Sequence, residues 1–234
     1  MKKKAIKITI CLLAFIAIFN LAFARSVELK YNFTPGKTYV YELSTSSSST
    51  CNSFRVNLNQ EKQASSKVFE LKVIDFQNNS FVIDIKSDDR IIRRYIRPDG
   101  KLMGAPSESG KQTPFFISFP QGAWQINQEH VENRVFALGN SQAKWTSTIT
   151  NLRDNVAQIA FNASLSLPSD RDRQKQASIS GNADFNLTQG LIQQAQWAIN
   201  YSFSFTNREF AVSRNVYSFH KQIFCVLQLI DIKD

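Results

Sequence analysis

The sequence lacks the residue patterns on which most enzymes and metal sites depend. It has two histidines, His130 and His220, and no HExxH, GxSxG or glycine-rich phosphate loop. No Cys/His cluster has metal-site spacing, and Asp170 and Asp172 lack the following glycine that shapes a calcium loop. A lone histidine is a weak catalytic signal, so we interpret His220 as an ordinary, partly buried residue. We therefore predict a protein without catalytic activity, cofactor or metal.

The first 24 residues are typical of a secretory signal peptide. Lysines at positions 2, 3, 4 and 7 precede an apolar run from Ile8 to Ala24, and residues 22–24 (Ala-Phe-Ala) have the small-x-small form of a cleavage site. An uncleaved anchor is the alternative, because about 17 apolar residues approach the length of a bilayer span. Asn20 interrupts the run, so we favour cleavage before Arg25 and export to the periplasm or beyond.

The remaining chain lacks a Gly/Pro-rich linker and any long-period repeat. We therefore predict a single antiparallel β domain over residues 25–234. Without the four leader lysines the chain carries 24 basic and 19 acidic residues, a net charge of +5. This mild excess is not typical of a nucleic-acid-binding protein, and export makes such a partner less compatible still. The sequence leaves the oligomeric state open.

Two cysteines remain in the mature chain, Cys51 and Cys225. In the oxidising compartment that export implies, two cysteines suggest one disulfide. Closing so long a loop stabilises a protein by about 4–5 kcal/mol in the chain-entropy treatment. Two buried free thiols are the alternative, because the sequence alone does not show that the sulfurs meet.

Alternation of apolar and polar residues, typical of half-buried strands, runs through the mature chain. Residues 27–33 and 39–43 alternate on either side of 34–37 (Thr-Pro-Gly-Lys), a sequence that favours a type II turn and hence a β-hairpin. Several of the further alternating segments reach about 12–15 residues, which is long for strands. These segments are 67–76, 81–86, 90–97, 114–120, 155–167, 177–187, 191–205 and 215–232. Residues 122–139 fit either a short helix or an irregular strand pair.

Each of these strands has one apolar face, and the mature chain has almost no helix to cover it. Such a sheet hides its apolar face by curling into a barrel or half-barrel, or by folding onto itself as a sandwich. We predict a mostly β protein with a large antiparallel sheet curled into a barrel or half-barrel and little helix. A β-sandwich is the alternative. A curled sheet of this size often leaves an apolar cavity inside.

Two sets of side chains are candidates for ligand binding. Five aromatic residues share an apolar face and either line a cavity for an acyl chain or fill the core: Phe185, Trp197, Tyr201, Phe203 and Phe205. Four arginines either receive an anionic group or form a solvated strand face balanced by Asp88 and Asp89: Arg90, Arg93, Arg94 and Arg97. Close packing of interiors favours core for the first set, and the usual solvation of charge runs favours surface for the second.

Three motifs resemble a family of exported bacterial β proteins with no established activity. They are LxYxFxxGxxYxY (29–41), GxW (122–124) after an FP pair, and GNADFNLTQGLI (181–192). In layout the chain also resembles the periplasmic lipoprotein carriers, whose curved antiparallel sheet encloses an apolar groove. The opening hairpin is similar to the one with which large lipid-transfer proteins such as vitellogenin begin. The resemblance to the carriers implies an apolar ligand held by a curved sheet.

The sequence thus predicts an exported, non-enzymatic protein of the bacterial envelope. Its curved sheet would bind a hydrophobic ligand, either a lipid or an acyl chain, or an envelope protein partner. One alternative is a structural or adhesive surface protein with a filled core. Another is an integral outer-membrane β-barrel, for which alternating segments of about ten residues are typical. Charged residues on several strands and a C-terminus without an aromatic residue disfavour the barrel.

Overall fold

The structure is a computed structural model of the chain. It describes residues 26–52, 57–103, 116–136, 141–166, 173–207 and 215–234. The predicted signal peptide, residues 1–24, lies outside these ranges. The described residues form strands and connections without a helix. In that part of the chain, accordingly, no helix is long and apolar enough to span a membrane.

Thirteen strands follow one another along the described residues. They are β1 (Ser26–Val27), β2 (Thr38–Asn52), β3 (Asn57–Gln77), β4 (Ser80–Ser87), β5 (Arg90–Ile96), β6 (Leu102–Met103), β7 (Trp124–Gln125), β8 (Glu129–Phe136), β9 (Ser141–Arg153), β10 (Val156–Ser166), β11 (Arg173–Asn186), β12 (Leu191–Asn207) and β13 (Asn215–Lys233). The mostly β fold predicted from the alternation is confirmed. Of the two interpretations of 122–139, the strand interpretation is the one observed for residues 122–136, and residues 137–139 lie outside the described ranges.

Eleven of the strands form one large antiparallel sheet. Their order is β6-β5-β4-β3-β2-β13-β12-β11-β10-β9-β8, and β1 pairs with β7 in a separate two-stranded sheet. Strands β2–β6 and β8–β12 are two meanders, and the C-terminal strand β13 joins them by pairing with β2 and β12. Within the described residues the end strands β6 and β8 do not pair with each other, so the sheet is open.

Alternation divides the side chains between an apolar and a polar face of this sheet. On β12 the buried Trp197 alternates with the exposed Gln194 and Gln196, as successive side chains of a strand must. Trp197 lies opposite Cys225, which is also buried, and Gln194 lies opposite the exposed Gln228. The apolar face and the polar face therefore each continue from strand to strand. The next two segments cover part of the apolar face.

The opening segment supplies part of that cover and does not form the predicted hairpin. The type II turn is present, since the Lys37 N–H donates to the Thr34 carbonyl at 3.2 Å and Gly36 has a φ of 90°. Residues 28–34, here called the crossing segment, form no strand. Both edges of β2 are already occupied by β3 and β13, so the crossing segment has no free edge to join.

Two turns of the large sheet hold the crossing segment instead. The Tyr31 N–H donates to the Pro98 carbonyl at 2.8 Å, and the Asn32 N–H donates to the Gly190 carbonyl at 3.0 Å. Pro98 follows β5 in the first meander, whereas Gly190 precedes β12 in the second. The crossing segment therefore ties the two meanders together. Its alternating residues Leu29, Tyr31 and Phe33 are buried, as the sequence pattern predicted.

Residues 116–120 complete the cover and are not the strand predicted for 114–120. They form no strand, and Phe116, Ile117 and Phe119 are buried. The Ile117 N–H donates to the Tyr31 hydroxyl at 3.1 Å, and the Phe119 ring stacks on the Tyr31 ring at 5.2 Å. The crossing segment and residues 116–120 therefore cover the apolar face of the sheet, as helices do in many other proteins with wide sheets. We call the end of the sheet that they cover the proximal end, and the opposite end the distal end.

Of the two alternatives for Cys51 and Cys225, the structure shows free thiols and no disulfide, although only Cys225 is buried. They lie on neighbouring strands, but Cys51 is opposite Phe219 and Cys225 is opposite Thr45. The two cysteines are therefore offset along the strands by roughly 20 Å, at about 3.3 Å a residue. A disulfide requires Cα atoms within about 7 Å of each other. The register of β2 and β13 keeps the sulfurs apart.

We expect alkylation to distinguish the two thiols. Burial raises the pKa of the Cys225 thiol to about 11, whereas Cys51 is only partly buried. Only the thiolate reacts, so iodoacetamide at about pH 8 should modify Cys51 in the native protein and spare Cys225. After unfolding, both should react, and peptide mass spectrometry checks each site. A disulfide-linked peptide containing both cysteines, from protein purified without reductant, would contradict the register.

Candidate functional site

A groove of about 920 Å³ crosses five neighbouring strands, β2, β13, β12, β11 and β10. Nine uncharged polar residues line it through their side chains. Five carry hydroxyl groups: Ser48, Thr50, Ser164, Ser178 and Ser202. Four are longer: Gln176, Asn200, His220 and Gln222. The groove is thus built from the polar face of the sheet, whose residues the sequence analysis did not single out.

Cross-strand register explains why these nine residues meet. One row runs through Gln176, Ser202, His220 and Thr50, and the next runs through Ser164, Ser178, Asn200, Gln222 and Ser48. Both rows lie on the polar face. The other five lining residues lie between them along each strand, so their side chains point to the opposite face and they present main chain to the floor. They are Leu165, Lys175, Ala177, Tyr201 and Lys221. Within the second row the Gln222 Nε2 donates to the Asn200 Oδ1 at 3.1 Å.

The groove contains no carboxylate among its lining residues, so it has no ligand of the type that hard metal ions prefer. Across the described ranges, no group of three or more His, Cys, Asp or Glu residues is placed to hold a metal ion. The groove instead presents hydroxyl and amide groups, which both donate and accept hydrogen bonds. Its chemistry suits a ligand rich in hydroxyl groups.

Two of the five aromatic candidates belong to the core. Phe185 is 1% exposed, and its ring contacts those of Tyr31 and Phe119 at 5.5 and 5.0 Å. Trp197 is buried opposite Gly181, where an added Cβ would lie 2.5 Å from the Trp197 Cβ. Gly181 therefore leaves the space in which Trp197 packs. For Phe185 and Trp197, therefore, the structure shows the second of the two predicted roles, namely filling the core.

The remaining aromatic candidates lie further towards the distal end. Tyr201 and Phe203 are half-buried, and the side chain of Phe205 lies outside the described side chains. Ile199 and Phe203 lie opposite Ile223 and Phe219 on β13. We define the distal apolar patch as six half-buried residues on three neighbouring strands: Ile179, Ile199, Tyr201, Phe203, Phe219 and Ile223. Two lysines lie on the same face beside them, since Lys221 is opposite Tyr201 and Lys175 is opposite Phe203.

The four arginines are not brought together. Arg93 lies opposite Asp84, whereas Arg90 and Arg94 point to the other face of β5. Arg93 donates two hydrogen bonds to the Asp84 carboxylate, at 2.7 and 2.8 Å, and lowers the pKa of that carboxyl. Arg97 forms an ion pair with the buried Asp99 at 3.1 Å. The predicted balancing partner Asp88 pairs with Lys67 instead.

Position in the sheet accounts for this run of arginines. Strand β5 lies next to the short end strand β6, which pairs only with Tyr95 and Ile96. Within the described residues, the 90–94 part of β5 is therefore an open edge. Charged side chains on such an edge discourage pairing with another chain. The arginines fit this protective role better than a common anion site.

A buried polar cluster beneath β8 and β9 escaped the sequence analysis. Ser147 is 1% exposed, lies opposite His130, and its Oγ has no hydrogen-bond partner among the described residues. The nearby Ser118 Oγ donates to the Glu132 carboxylate. Both hydroxyl groups are shielded from solvent, so neither is placed to attack a substrate. The available signal was a serine at an apolar position, between Trp145 and Ile149.

No protein-family model matches the chain, and a comparison with curated proteins finds no match. Among solved structures the chain is similar to one of lipovitellin, described by its lipid–protein interactions. The identity is 12% and the TM-score 0.41, over 86% of this chain and 26% of the lipovitellin chain. The chain therefore spans about a quarter of that protein.

Proposed function

We propose that the protein is an exported, non-catalytic binding protein of the bacterial envelope that holds a lipid or an acyl chain. The ligand would lie against the distal apolar patch. One observation supports this most directly, namely the change in burial along a single apolar face. At the proximal end the cover fully buries side chains such as Phe185, whereas all six residues of the patch are half-buried. The patch is limited on its β10 side, where Ala177 and Leu165, in the same cross-strand row as Tyr201, are buried.

The dimensions of the patch suit an extended apolar chain. Ile179, Ile199 and Ile223 form one row across three strands, which spans about 10 Å at the usual strand spacing. From Ile199 to Phe203 the patch extends about 13 Å along β12. Burial of each CH₂ group stabilises a bound chain by about 0.8 kcal/mol. An acyl chain lying along β12 would therefore bind mainly through removal of its surface from water.

The placement of the two histidines supports a binding role over a catalytic one. His220 lies on β13 in the polar groove, where it is exposed and not partly buried as predicted, and His130 lies on β8, in a different part of the sheet. Neither lies on the distal apolar patch. A general base must lie within hydrogen-bond reach of the group from which it takes a proton. A ligand on the patch would be out of reach of both histidines.

A matched pair of neighbouring residues tests the proposal. Ile223 belongs to the patch, whereas Phe224 points to the opposite face and is 44% exposed. The purified mature chain should take up a fluorescent fatty acid, and Ile223→Ser should weaken that binding about tenfold or more. Phe224→Ser should leave it unchanged. Fluorescence titration measures the affinity, and a thermal melt followed by circular dichroism confirms that both variants fold.

Mass spectrometry of organic extracts supplies an independent readout, because a lipid carrier should retain lipid from the expressing cell. Protein that holds no extractable lipid and takes up no fatty acid would contradict the proposal. Equal loss of binding in the Ile223 and Phe224 variants would contradict the assignment of the ligand to the patch.

A further inference from the structure

The polar face of the sheet has two chemically different halves. On β3, β4 and β5 it carries ion pairs, such as Arg93 with Asp84 at 2.7 Å and Lys86 with Glu70 at 3.8 Å. On β10, β11 and β12 it carries amides and hydroxyls, and Asp184 is the one charged residue on the described part of that half. Solvated protein surfaces usually contain about 25–35% charged residues. The neutral half therefore departs from an ordinary solvated face.

The groove lies within this neutral half and extends it onto β13 and β2. Its nine polar side chains would lose their water to any ligand that fills it. A buried amide or hydroxyl without a partner is costly, at about 1–3 kcal/mol each, so an acyl chain is a poor occupant. An ionic ligand would find no opposite charge among these nine side chains, and the two lysines of the lining, Lys175 and Lys221, alternate with them and point to the opposite face. A ligand with many neutral hydroxyl groups offers hydrogen-bond partners to these side chains and carries no charge that would need an opposite one.

We infer that the groove binds a linear, uncharged oligosaccharide. Sugar hydroxyls both donate and accept hydrogen bonds, as do the Asn200 and Gln222 amides and the Ser178 and Ser202 hydroxyls. Four strand spacings from β2 to β10 give a length of about 19 Å, which accommodates several linked sugar rings. The two rows of side chains lie about 7 Å apart, so they contact both edges of one sugar chain.

This site lies on the face opposite to the distal apolar patch, so it goes beyond the proposed lipid-binding function. The two ligands would approach from opposite sides of β12 and β13. Asn200 and Gln222 serve the groove, whereas their chain neighbours Ile199 and Ile223 serve the patch. Substitutions can therefore alter one site and leave the side chains of the other in place.

A glycan array and a matched set of variants test the inference. The labelled mature protein is applied to neutral linear gluco-, xylo-, manno- and galacto-oligosaccharides, and the best ligand is titrated by calorimetry. We expect binding to at least one series. Asn200→Ala combined with Gln222→Ala should raise the Kd about tenfold or more. Gln194→Ala with Gln228→Ala removes the equivalent pair from the same strands and face, outside the groove, and should leave the Kd unchanged.

All four substituted residues are exposed, and circular dichroism confirms folding. Absence of binding to every neutral glycan overturns the inference, as do binding restricted to acidic glycans and equal loss in both double variants. The Ile223→Ser variant separates this site from the lipid site, because it should bind glycan normally while losing fatty acid. Failure of either site then leaves the other measurable.

Discussion

Replacement of Gly100 by alanine should lower the free energy of unfolding by about 2–5 kcal/mol. Gly100 has a φ of 81°, a conformation that costs a residue with a side chain about 1–2 kcal/mol. An added Cβ would also lie 2.2 Å from the Ile117 carbonyl oxygen and 2.8 Å from the Tyr31 ring. Overpacking of this kind typically costs a further 1–3 kcal/mol or so.

The surrounding turn makes this contact hard to relieve. Its backbone binds both covering segments, since the Pro98 carbonyl accepts from the Tyr31 N–H and the Asp99 carbonyl accepts from the Phe119 N–H, each at 2.8 Å. Movement of the turn away from Ile117 would lengthen both hydrogen bonds. The clash therefore acts on the cover as a whole, and both the crossing segment and residues 116–120 should lose contact with the sheet.

Gly36→Ala is the matched control. Gly36 has a similar φ of 90°, but an added Cβ would meet nothing within 4 Å. This variant should lose only the backbone contribution, about 1–2 kcal/mol. Urea unfolding followed by tryptophan fluorescence measures both variants. Equal losses at the two glycines would show that the Gly100 turn is not packed against the cover as the structure describes.

The turn at 34–37 and the pairing of its flanks show how far the sequence was informative. Proline and glycine set backbone dihedrals locally, so the type II turn was predictable from four residues. Pairing depends on which strand edges remain free. Strand β13, from the far end of the chain, occupies the edge of β2 that the crossing segment would need. A local pattern carries no information about that distant competitor.

For the candidate site too, some features were predictable from the local sequence and others depend on tertiary contacts. Alternation correctly placed Phe185 and Trp197 on the apolar face, because side-chain direction along a strand is local. Whether such a residue is covered depends on where Tyr31 and Phe119 lie, which is set by tertiary contacts. The polar groove draws side chains from five strands, and its concavity comes from the shape of the sheet. Only the uncharged composition of those strands was visible in the sequence.

Replacement of Tyr31 by alanine should lower the free energy of unfolding by about 4–5 kcal/mol. The Tyr31 ring contacts four other rings, with centroids 5.2 to 5.7 Å away: Phe33, Phe116, Phe119 and Phe185. Truncation of a large buried aromatic residue usually costs about 3–5 kcal/mol. The variant also removes the hydroxyl that accepts from the Ile117 N–H, which leaves a buried donor unpaired.

Tyr31→Phe separates these two contributions, because it keeps the ring and removes only the hydroxyl. It should lose about 1–3 kcal/mol, the cost of one unsatisfied buried donor. Tyr95→Ala, at an exposed position, should change the stability by no more than about 0.5 kcal/mol. Urea unfolding measures the free energy of unfolding of the three variants and so ranks their losses of stability. If Tyr31→Ala were no more destabilising than Tyr95→Ala, the crossing segment would not be packed on the sheet, and the apolar face would need another cover.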